Sequence, residues 1–131
     1  MERESYKRIE LENKHCLEIF DDSKKIAEDA YVVIMTAKME IPVVKELFST
    51  EGVSDGVSDD MFEDIVNTLG SPVVYEYRLE RNMIMASDKD EVLENLVTTF
   101  LENSGQYVAK RTFPEKLVLK EYRERIEKRN K

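Results

Sequence analysis

Apolar positions two apart dominate the first third of the chain. In "YKRIELE" (6–12) Ile9 and Leu11 share one side between charged neighbours, and in "HCLEIF" His15, Leu17 and Ile19 alternate with Cys16, Glu18 and Phe20. Period two marks an extended chain, so both segments predict strands, joined by a tight turn at Asn13-Lys14 in which Asn13 takes the positive φ. "AYVVIMTAKMEI" (30–41) meets a helical spacing in part, through Ala30, Val33, Ala37 and Ile41 with Ile26 ahead of it. Its alternation is stronger: Tyr31, Val33, Met35, Ala37, Met39 and Ile41 are all apolar and two apart. Val32, Val33, Ile34 and Thr36 are β-branched and Pro42 biases Ile41 toward extended backbone, so a long strand is predicted. The intervening "DDSKKIAED" (21–29) reads as a charged bend joining two strands.

Beyond Pro42 the period changes. "VVKELF" suits a short helical turn, and "STEGVSDGVSDD", which holds two of the four glycines, reads as a loop. "DDMFEDIVNTLG" predicts a helix capped by Asp59 or Asp60, with Met61, Phe62, Ile65, Val66 and Leu69 as its apolar stripe and Gly70 and Pro72 as its stop. Alternation returns in "SPVVYEYRLERNMIMAS", where Val73, Tyr75, Tyr77 and Leu79 share a side. "SDKDEVLENLVTTFLENSG" predicts the clearest helix, with Ser87 and Asp90 as a capping box and Gly105 as its end. A short strand "QYVAKRT" and a last helix from about Pro114 complete the pattern. The expectation is a single α+β domain over residues 1–131. It comprises an antiparallel sheet of four to five strands, helices packed on one face and a charged C-terminal helix.

Charge adds an asymmetry. Residues 110–131 hold nine Lys/Arg against four Glu, a local +5, whereas the rest holds eleven against twenty-four acids, a local −13. An acidic body with a basic end favours self-association or contact with another protein, so a protein partner or homodimer is expected and nucleic acid is not. The first ten residues lack the apolar stretch of a signal peptide and the longest apolar run, "AYVVIM", is too short to span a bilayer. No membrane association and a cytoplasmic location are therefore expected. One cysteine excludes an internal disulfide and a cysteine-rich zinc cluster.

Candidate chemistry is thin. His15 is the only histidine and stands beside Cys16 on a predicted strand, so the two side chains diverge and make no nucleophile–base pair. Asp21, Asp22, Glu28 and Asp29 carry oxygens for a hard cation. An EF-hand count from Asp21, however, puts Ile26 at the sixth position and Val32 at the twelfth, with Lys24 and Lys25 in the middle. Asp21 and Ser23 resemble two positions of the PilZ signature, but Ile26 stands where its glycine belongs and Lys7 follows Arg3 where a second arginine would be, so no function carries over. No glycine-rich phosphate loop is present. Tyr75, Tyr77, Arg78 and Arg81 could suggest a stacking platform for RNA, yet both tyrosines share the Val73/Leu79 face and read as core. The expectation is a non-catalytic domain with no metal and no cofactor, acting through protein contact. The alternative is a small-ligand or nucleotide sensor using the acidic loops 21–29 and 51–60. The contact residues expected from this reading are Asp21, Asp22, Ser23, Lys24, Lys25, Asp55 and Asp59 in the loops, with Lys120, Arg123, Lys128 and Arg129 on the last helix.

Overall fold

A computed structural model describes residues 5–49 and 57–129. Five strands, β1 (Lys7–Glu10), β2 (Cys16–Asp21), β3 (Lys24–Ala27), β4 (Ala30–Ile41) and β5 (Val73–Met85), form one antiparallel sheet. The helices are α1 (Asp59–Leu69), α2 (Lys89–Phe100), α3 (Gln106–Ala109) and α4 (Phe113–Arg129), with 3-10 turns at Lys45–Ser49 and Ala86–Asp88. The expected α+β class with an antiparallel sheet of four to five strands is what forms.

β4 organises the sheet. β5 pairs along one edge from Ile41↔Val73 to Ala30↔Met85, and the other edge is shared between β2 (Leu17↔Met39 to Asp21↔Met35) and β3 (Lys24↔Val32 to Ala27↔Ala30). The alternation foreseen from sequence becomes the core: Val33, Met35, Ala37, Met39 and Ile41 point to one side and are buried with Leu17 and Ile19 of β2. Leu93, Leu96, Val97 and Phe100 of α2, Ile65 of α1, and Phe113, Val118 and Leu119 of α4 complete the same cluster. The opposite face of β4 is not all solvated, since Ile34 and Thr36 are also buried, beside Phe20.

Local chemistry fixes the element ends. Leu11 and His15 close the β1–β2 hairpin through Leu11 N–H···O His15 (3.0 Å) and Lys14 N–H···O Leu11 (2.9 Å), and Lys14 takes φ 70°. This is a turn followed by a left-handed residue, so the positive φ falls one residue later than expected. Asn13 stays free to bond outward: its side-chain N–H groups reach the carbonyls of Val108 (2.8 Å) and Lys110 (3.0 Å), pinning the hairpin to the end of α3. Ser58, not Asp59 or Asp60, caps α1 by accepting from Met61 N–H, and Gly70 stops it at φ 77°. α1 and α4 are joined by Tyr122 to Asp64 and by Arg129, whose guanidinium reaches Thr68 Oγ1 (2.8 Å) and Asp64 (3.8 Å).

Several expectations change. Residues 24–27, assigned to the bend, form β3, which has no buried residue and hence no periodicity to read. β5 carries a bulge: Val33 faces Arg81 but Tyr31 faces Ile84, so the strand gains a residue near Met83, which takes φ 54°. The extra residue switches the inward positions from Tyr75 and Leu79 to Ile84. No side-chain capping box opens α2, because Ser87 lies inside the preceding 3-10 turn. The expected strand "QYVAKRT" is instead α3, reached through a π-turn at Leu101–Gly105 in which Gly105 is helical (φ −58°) and stops nothing. Glu115 is fully buried at the start of α4.

Ile65 is the single buried residue of α1. Truncation of Ile65 to Ala is expected to cost about 2–5 kcal/mol in urea unfolding, whereas Met61→Ala on the same helix, where the side chain is exposed, should cost well under half of that.

Candidate functional site

The acidic segment after β2 turns out to be a joint. At Asp22 the chain leaves one part of the β4 edge and at Lys24 it rejoins another. Across this gap Asp22 N–H donates to Ile34 O (2.9 Å) and Ile34 N–H donates to Ser23 Oγ (3.0 Å). A hydroxyl thus stands in for the strand carbonyl that the break removes. Asp22 Oδ2 accepts from Thr36 Oγ1 (2.6 Å), and Asp21 accepts from Ser23 N–H (3.0 Å) and from Lys89 Nζ at the start of α2 (3.3 Å). Burial alone would raise the Asp21 pKa, but the bonds from Ser23 and the charge of Lys89 outweigh it and hold the carboxyl below its ordinary 3.8. Three of the expected contact residues are therefore engaged in holding the sheet together. Lys24 and Lys25 are exposed on β3.

The other loop residues lie elsewhere. Asp59 begins α1 and pairs with Lys45, while Asp55 lies outside the described residues. No group of three or more His, Cys, Asp or Glu side chains among the described residues could hold a metal ion. His15 lines a shallow cleft with Asn13, Pro42, Leu47 and Arg111; burial lowers its pKa, partly offset by a bond to the Glu40 backbone. Cys16 is a free, half-buried thiol in contact with Arg8.

Two surfaces remain. The first is the outer edge of β5: among the described residues no strand pairs there. Its outward positions Val74, Glu76, Arg78 and Glu80 are exposed, and Tyr77, on the inner side, is 43% exposed while stacked on Phe100 at 5.5 Å. Tyr75 and Tyr77 do share the Val73/Leu79 face, but both lie at its margin rather than deep in the core.

The second is a cleft of about 460 Å³ between β5, α3 and α4. Phe113, almost fully buried, meets Tyr75 edge-on (5.2 Å, 89°) and Tyr107 edge-on (5.1 Å, 74°), and Tyr107 is 55% exposed. Lys116, Lys120 and Arg123 stand along one stripe of α4 at its rim, spaced four and three residues apart. Of the basic residues expected from sequence, Lys120 and Arg123 come together here; Arg129 is tied to α1, and Lys128 is exposed near the end of α4. Tyr107 and Phe113 were not singled out from sequence; Tyr75 was read as core, and Lys116 belongs to the basic stripe of the last helix through its four-residue spacing from Lys120.

No helix among the described residues is long and apolar enough to cross a membrane. No protein-family model, curated protein or solved structure matches the chain.

Two outcomes follow for the joint. Ser23→Ala leaves the buried Ile34 N–H without its acceptor and should cost about 1–3 kcal/mol in denaturant unfolding, with Ser23→Thr recovering most of it. Because the folded Asp21 pKa lies below its unfolded value, its stabilisation is present above the ordinary carboxylate range and lost as pH falls through the lowered value. Asp21→Asn should flatten the acid limb of a melting-temperature profile below about pH 4; a limb as steep as that of the wild type would count against the Asp21–Lys89 contact.

Proposed function

We propose that this domain is a non-catalytic protein-contact module that pairs with a second copy of itself through the open edge of β5. The observation that carries the reading is the self-complementarity of that edge. Val73 to Arg81 is the regular part of β5, before the bulge, and its midpoint is Tyr77. Two copies placed antiparallel about Tyr77 set Glu76 of each opposite Arg78 of the other and Tyr75 opposite Leu79, with the two Tyr77 rings on the axis. Each such cross-strand pair contributes roughly 0.2–1 kcal/mol beside the new backbone bonds. A shift of the centre to Arg78 would face Arg with Arg and Glu76 with Glu80. A centre at Leu79 would draw the bulged residues into the ladder. Charge and backbone regularity thus favour the same register.

Strand pairing alone is a small interface, so the association is expected to be concentration-dependent rather than permanent. A cytoplasmic setting belongs to the same proposal and is supported by the lone free thiol. The alternative, a sensor working through the acidic loops, draws less support because Asp21, Asp22 and Ser23 are bonded within the sheet.

Sedimentation velocity across roughly a hundredfold concentration range provides the test. The wild type should shift from monomer to dimer; Arg78→Glu should remain monomeric, and Glu76→Arg combined with Arg78→Glu should dimerise again, since the swap restores opposite charges. A wild type that stays monomeric throughout, or a double variant no better than the single one, overturns the reading.

A further inference from the structure

We infer that the cleft between β5, α3 and α4 binds a small phosphorylated ligand that carries a planar ring, a ligand of the nucleoside phosphate class, with Lys116, Lys120 and Arg123 on the phosphates and Tyr107 and Tyr75 on the ring. This goes beyond pairing through the sheet edge and uses the opposite chemistry. The three cations share one helix stripe, and among the described residues no ion pair engages any of them. That is notable in a chain of net charge −8, in which Arg129, Lys45 and Lys89 have each found a carboxylate. Three like charges on adjacent turns repel one another, and an anion bearing more than one negative charge removes that repulsion.

The apolar wall points to the rest of the ligand. Phe113 fixes Tyr75 and Tyr107 by edge contacts, so the exposed part of Tyr107 is a held surface rather than a loose side chain. Such a surface suits a flat ring. Burial, with neighbouring Tyr77 and Tyr107, raises the pKa of Tyr75, which keeps its hydroxyl protonated as a donor to an anionic ligand. The cleft, at about 460 Å³, lies within the range of small-molecule sites. The acidic body of the protein disfavours a long polyanion, which leaves a small ligand as the better fit.

Isothermal titration with adenosine diphosphate, guanosine diphosphate, adenosine and inorganic phosphate separates ring from charge. The expected result is binding of at least one diphosphate roughly tenfold or more tighter than either adenosine or phosphate alone, weakening as sodium chloride rises. Lys120→Glu with Arg123→Glu should abolish the heat and Tyr107→Ala should weaken it, while Lys128→Glu on the same helix should leave it unchanged; circular dichroism of each variant checks that the fold persists. Absence of heat from both diphosphates at millimolar concentration overturns the inference, as does binding undiminished in the folded Lys120→Glu/Arg123→Glu variant. Equal affinity for inorganic phosphate overturns the role given to the rings. Because Glu76 and Arg78 are not in the cleft, an edge variant that stays monomeric yet binds would separate this result from the pairing proposal.

Discussion

Both edges of β4 are hydrogen-bonded and nearly all of its residues are wholly or partly buried, and that constraint sets the position of everything else. A strand in this situation tolerates no orphaned amide, because water cannot reach it. Along most of its length the neighbours supply ordinary ladder bonds. At Val33–Ile34, where β2 has ended and β3 has not begun, the chain supplies Ser23 Oγ and the Asp22 amide instead. The break lets the sheet curl, since β2 and β3 need not lie in one plane. The polar residues "DDS" follow from that requirement: short side chains with oxygens are what reach a backbone amide or a threonine hydroxyl at close quarters.

The extent to which sequence foretold this differs from element to element, for physical reasons. β4 was legible because one face is buried without interruption, so its alternation survives over twelve residues. β3 was not, because all four of its residues are exposed and nothing selects apolar side chains on either face. The bulge in β5 has no glycine to announce it; Met83 takes the positive φ, and only the later switch to Ile84 records the added residue. Gly105 misled in the other direction, since the π-turn carries the helical path through it into α3. Tyr107 and Val108 favour extended chain locally, and the packing of Val108 in the core overrides that preference. The cleft was legible only as a basic stripe. Its rings come from two distant parts of the chain, Tyr75 on β5 and Tyr107 on α3 with Phe113 at the start of α4, and look like core residues until the fold leaves Tyr107 at the surface.

β5 contributes to both surfaces discussed here, through different atoms. Its outer backbone and the side chains of Glu76 and Arg78 form an edge, and the Tyr75 ring forms one wall of a cleft on the helical side. In the proposed pairing Tyr75 would also sit across from Leu79, so one ring would border both.

The shortness of β1 has a consequence for assembly. Pairing of β5 with its own copy is isologous and uses up that edge on both partners. The joined sheet would then end on each side at β1 and β3, strands of four residues each that carry exposed charged side chains, and further growth would have to start from those stubs. A long, regular second edge would have allowed strand to add to strand without limit. With such stubs, pairing through β5 would favour closure at two chains over growth into a fibre.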